Sequence, residues 1–195
     1  MNDVSLTFWK PIWVKIVSNL LLTPDHWGQY VMPIYDRSLE TPLPTTLDDS
    51  IGFSSDDLRS DGQRAIYAWY NRQTKNGDIP KRSNFDPMDF PKYLPFLVLV
   101  DVEEAPRRYH VRLVGTNVVD ARGRDGTGDY FDEVEGAELA VKRAEAIIES
   151  RQAQFETNVP MTWSPKDFRF YSTLSLPLSS DGTKVDKIMY CLDFE

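Results

Sequence analysis

Residues 96–115 read FLVLVDVEEAPRRYHVRLVG, and the reading of this stretch decides the fold. From Phe96 to Val100 the side chains are apolar on both parities, and the run breaks only at Asp101. Successive residues of a strand point to opposite faces, so 96–103 predicts a strand buried on both sides. Glu104-Ala105-Pro106-Arg107 supplies a turn, and Tyr109 to Val114 forms the next strand, ended by Gly115.

Upstream, prolines at 80, 87, 91 and 95 force an extended, turning path into the first strand. Before them, Leu58, Ala65, Ile66, Trp69 and Tyr70 recur at helical spacing and predict a helix over 56–75. Ser54 and Asp57 resemble its cap, and Asn76-Gly77 its stop. Downstream, residues 116–135 are rich in glycine and aspartate and predict short helical turns. Residues 137–152 (AELAVKRAEAIIESRQ) form an amphipathic helix with Ala140, Val141, Ala144, Ile147 and Ile148 as its buried stripe. Strands follow over 153–163 and over 168–178, where Phe168, Phe170, Leu174, Leu176 and Leu178 share one parity. Ser180-Asp181-Gly182 marks a turn, and Ile188, Tyr190, Leu192 and Phe194 alternate in a last strand. Strands at both ends of a helical middle give an α+β class with an antiparallel sheet.

The chain has 195 residues, 41% of them hydrophobic and 12% aromatic, which is enough for a real core. Its net charge of −8 disfavours nucleic acid, since phosphate contacts need a basic surface. The single cysteine, Cys191, excludes an intrachain disulfide and any Cys/His zinc spacing, and suits a reducing cytoplasm. Residues 1–50 are read as an N-terminal extension and linker, and 51–195 as one domain with a leading helix. Residues 4–22 (VSLTFWKPIWVKIVSNLLL) are apolar, but Lys10, Pro11 and Lys15 leave them short of the ~18 uninterrupted apolar residues of a spanning helix. They lack the basic start and cleavage site of a signal peptide. Three readings stand for them: a packing or dimerising helix, an interfacial membrane helix carrying Trp9 and Trp13, or sequence ahead of a native start at Met32. Residues 33–50, with Pro33, Pro42 and Pro44 and with Pro24 just before them, read as the linker.

The stretches IPKRSNFDPMDFPKYLPFLVLVDVE, YHVRLVGT, GRDGTGDYFDE and LPLSSDGTKVDKIMY, in this order, resemble a bacterial family of small stand-alone PAS-domain proteins. The resemblance covers about 130 residues and leaves residues 1–50 outside. It implies a five-stranded antiparallel sheet in the order 2-1-5-4-3 with helices on one face. It also implies sensing or protein contact, often as a dimer. With no kinase, cyclase or DNA-binding segment in the chain, output is expected in trans. The apolar face of helix 56–75 and the N-terminal segment are the expected contact surfaces. A small molecule would lie between the sheet and the 116–152 helices. The residues expected to touch it are Val111, Arg112 and Leu113 of the second strand, Tyr130 and Ile147. The cofactor stays open. The long helix lacks the axial histidine of haem-binding relatives, and no Asn-Cys-Arg-Phe-Leu-Gln segment of flavin photosensors is present.

Arg112 has two readings: a pocket arginine for an acidic ligand group, or an outer-face arginine paired with one of the many carboxylates. Gly123-Arg124-Asp125-Gly126-Thr127-Gly128 lacks the terminal Lys-Ser/Thr of a phosphate loop, so a tight turn with local bonds from Arg124 or Asp125 is expected. His110 is read as structural and Cys191 as a small buried residue. An enzyme on a PAS-like or cystatin-like scaffold is the competing class. It has no Gly-x-Ser-x-Gly segment and only two histidines to serve as base, so no catalytic set emerges.

Overall fold

A computed structural model of the chain describes residues 51–74, 77–161 and 170–194. The readings for residues 1–50, Asn76 and Phe168 lie outside these. Among the described residues, five strands form one antiparallel sheet in the order β2-β1-β5-β4-β3. They are β1 (Leu97–Glu104), β2 (Arg107–Val114), β3 (Gln154–Pro160), β4 (Phe170–Leu178) and β5 (Lys187–Phe194). Three helices accompany them: α1 (Asp61–Gln73), α2 (Thr116–Arg122) and α3 (Glu138–Ser150). Short 3-10 turns at Arg82–Asn84, Pro87–Asp89 and Leu94–Phe96 carry the proline-rich entry into β1.

The doubly apolar run of β1 sits second from one edge, between β2 and β5. Val98, Val100 and Val102 face the core under α2 and α3. Leu97 and Leu99 face a second core with α1. β4 and β5 divide the same way: Leu174, Leu176, Met189 and Cys191 turn to the α1 side, and Tyr171, Ile188, Tyr190 and Leu192 to the other.

α1 starts later than the sequence predicts. Ser54 and Asp57 do bond, Asp57 Oδ2 accepting from the Ser54 amide at 2.7 Å, but they close a turn ahead of the helix. The cap is Ser60, whose hydroxyl accepts from the Gln63 amide while the Gln63 side chain reaches back to the Ser60 amide. The apolar face of α1 is not free for a partner. Ile66, Trp69 and Tyr70 are buried against the sheet and the entry segment, with Trp69 edge-on to Phe85 at 4.9 Å. Each such side chain contributes roughly 1.5–3 kcal/mol of burial.

Gly115 ends β2 because the chain there passes under the entry segment: a Cβ would lie 2.3 Å from the Pro95 carbonyl oxygen. The helix that follows, α2, is the first wall of the candidate site.

Candidate ligand cavity

A cavity of about 120 Å³ lies between the sheet and the helices α2 and α3. Its sheet wall is Val98 of β1, Val111 and Val114 of β2, Thr173 of β4, and Tyr190 and Leu192 of β5. Val118 of α2, Phe131 and Val134 of the following turn, and Leu139 and Ala140 of α3 close it from the helical side.

Charged groups enter at two places. From α3, the buried Arg143 forms a bidentate pair with Glu156 of β3, with Nη2 to Oε2 at 2.8 Å and Nε bonded to Oε1. Its Nη1 donates to the Tyr171 hydroxyl at 3.3 Å. Burial works against the Arg143 charge, but the Glu156 carboxylate outweighs it and raises the guanidinium pKa. The second group is Arg122, at the end of α2, whose side chain is 13% exposed and whose Nη2 donates to Asp129 Oδ2 at 2.9 Å. Asp129 also holds Arg124 at 2.7 Å. Burial would raise the Asp129 carboxyl, but Arg124 and Arg122 together hold it below its ordinary value.

The glycine-rich loop forms as expected, with local bonds: Asp125 Oδ1 accepts from the Thr127 amide at 2.9 Å, and Arg124 reaches the Asp125 carbonyl at 3.3 Å. It also shapes the cavity. A Cβ on Gly126 would lie 1.8 Å from Arg122 Nη1, so only glycine lets the guanidinium rest there.

Of the five residues expected at a ligand, Val111 lines the cavity. The others are placed elsewhere. Arg112 is exposed and Leu113 is 47% exposed. The reason is a bulge: Val100 pairs with Val111 and Leu99 with Leu113, so Arg112 is the extra residue and the alternation shifts after it. Val114 thereby joins Val111 on the cavity face. No carboxylate lies within ion-pair distance of Arg112 among the described residues, so the outer-face pairing expected for it is not formed. Ile147 is fully buried in the same core, one turn beyond the α3 residues that reach the cavity. Tyr130 lies outside the cavity lining: the Arg108 guanidinium sits 3.7 Å from its ring centre, its hydroxyl donates to Glu103 at 3.1 Å, and the His110 ring lies tilted beside it at 4.9 Å. Sequence reasoning missed Arg122 and Arg143. Arg143 falls on the buried stripe of α3, three residues after Ala140 and four before Ile147, and that position was the available signal.

Among the described residues no group of three His, Cys, Asp or Glu side chains could hold a metal ion, and no helix is long and apolar enough to cross a membrane. No curated protein and no solved structure matches the chain. The family model of PAS_5, a PAS domain, matches residues 58–192, from two residues before the Ser60 cap of α1 into the last strand. The sheet order, the helical middle and that match agree: the chain belongs to the PAS_5 family of PAS domains, a class of sensory and interaction modules.

Proposed function

We propose that the chain is a non-catalytic sensor that binds a small, largely apolar molecule between its sheet and the helices α2 and α3, and signals that occupancy to another protein in a bacterial cytoplasm. The observation that carries this reading is the cavity of about 120 Å³ with its mainly hydrocarbon walls. Apolar cavities of ~150 Å³ hold benzene, which sets the size of molecule that fits; haem and flavin are much larger. A ligand there would touch all five strands, α2 and α3, so it can favour one arrangement of these elements over another. Among the described residues lining the cavity there is no His, Cys, Asp, Glu or Lys, which supports binding rather than acid–base or nucleophilic chemistry.

Native mass spectrometry of the purified full-length chain tests the reading. A retained small molecule, lost in Val118→Trp, is expected. A bare protein whose melting temperature is also unmoved by millimolar benzyl alcohol or hexan-1-ol would overturn it.

One observation favours a second reading, contact through β2 with a copy of the chain or another protein. Leu113 is 47% exposed on this edge strand, and because the outer backbone at Val111 is already bonded to Gly128 and Asp129, a partner would be met by side chains. A dimer in sedimentation that Leu113→Arg dissociates would support it.

A further inference from the structure

We infer that the cavity's ligand carries an anionic head, a carboxylate or a group of similar shape, which docks on Arg122 while its apolar body lies against Val98, Val111 and Val118. The inference rests on the cavity reading above and adds the chemical class of the ligand. The lining described for the cavity contains two arginines and no carboxylate. A cation would find no lining carboxylate to accept it, and an anion has two candidate partners.

Arg143 is the weaker of these. Its Nε, Nη1 and Nη2 are all engaged, by Glu156 and Tyr171, in a buried pair that an anion would have to break. Arg122 is differently placed. A guanidinium has five N–H donors, and among the described residues only Nη2 of Arg122 makes a hydrogen bond. The carboxylate that accepts it, Asp129, is divided between two arginines. The head group is also held in place before any ligand arrives, by Asp129 on one side and the bare backbone of Gly126 on the other. A pre-positioned planar fork with unused donors beside an apolar space suits a carboxylate with a short hydrocarbon body.

Isothermal titration of the full-length chain with two isosteric pairs tests this: benzoate against benzyl alcohol, and hexanoate against hexan-1-ol, at neutral pH and low salt. The anion of a pair is expected to bind about tenfold tighter than its alcohol, as a charge-assisted bond implies. Arg122→Gln should erase the preference, the anion and its alcohol then binding the variant with affinities equal to within about twofold. Where the glutamine variant does not fold, Arg122→Lys keeps the charge but loses the fork, and the preference should fall about threefold. Equal affinities in the unaltered chain, or a preference undiminished in the variants, overturn the anionic head while leaving the cavity reading intact. Failure of all four probes to bind overturns both.

Discussion

Against one face of the sheet, α1 and the proline-rich entry press Ile66, Trp69, Phe85 and Phe90 onto Leu174, Leu176 and Cys191. A buried polar residue there, Gln63, is satisfied on both ends: it donates to Ser172 at 3.1 Å and to the Cys191 carbonyl at 3.3 Å, and accepts from the Arg59 and Ser60 amides. Against the other face, α2 and α3 enclose a cavity and a buried ion pair, and the buried hydroxyls of Tyr190 and Ser175 find no partner among the described residues. Burial, opposed by the Arg143 charge and helped by Glu156, pushes the Tyr190 phenol well above its ordinary pKa. The contrast separates two tasks. The α1 face is densely filled, and Gln63 at its centre is satisfied, although Arg82 Nε at its rim finds no partner among the described residues. The α2–α3 face leaves volume and hydrogen-bonding capacity unspent, which costs stability and gives a ligand something to do.

The largest test of that contrast is at the ion pair. Glu156→Ala leaves the Arg143 charge buried and unpaired, and should cost about 3–5 kcal/mol in urea unfolding. Replacing both, as Arg143→Met with Glu156→Leu, should recover most of it. If the double variant is as unstable as the single one, the pair is not an isolated polar insertion in an apolar wall. Next in size is the response to added volume. Leu176→Phe on the filled face should cost about 1–3 kcal/mol, because overpacking a dense core forces strain. Val118→Ile beside the cavity should change stability by no more than about 0.5 kcal/mol, since the added methyl group has space to enter. Equal costs at the two sites would erase the difference between the faces.

The fold was legible because its signals are local and periodic. The run from Leu97 to Val102 announces a strand covered on both sides, and Ile188, Tyr190 and Leu192 announce one face of another. α1 was legible in kind but not in start, because two capping arrangements, Ser54 with Asp57 and Ser60 with Gln63, lie six residues apart and only packing chooses between them. That α1 covers the second face of the sheet follows from the apolar odd-numbered residues of β1, not from the helix itself. The site was mostly illegible. Strict alternation along β2 put Arg112 opposite the apolar residues beside it, and a bulge that no residue type in that strand marks shifted the parity after Val111. Arg122 reads as a surface arginine until the loop after it is folded and Gly126 is seen beneath its guanidinium.

The smallest effect belongs to the filled face and emerges only in alkali. Cys191 is 1% exposed on β5, and burial, helped by Asp193, pushes its thiol from the ordinary 9.0 up to about 12. The unfolded chain loses this proton first, so the folded state binds it more tightly. The thiol's contribution to stability is therefore complete below about 9, and is lost as pH rises from there through about 12. At pH 8 the native thiolate is scarce and unreachable. Iodoacetamide should alkylate the chain fully in urea and the folded chain far more slowly, only through molecules that open. Native labelling as fast as that of the unfolded chain would mean that α1 does not seal its face of the sheet, and the distinction between a closed face and a receptive one would fall with it.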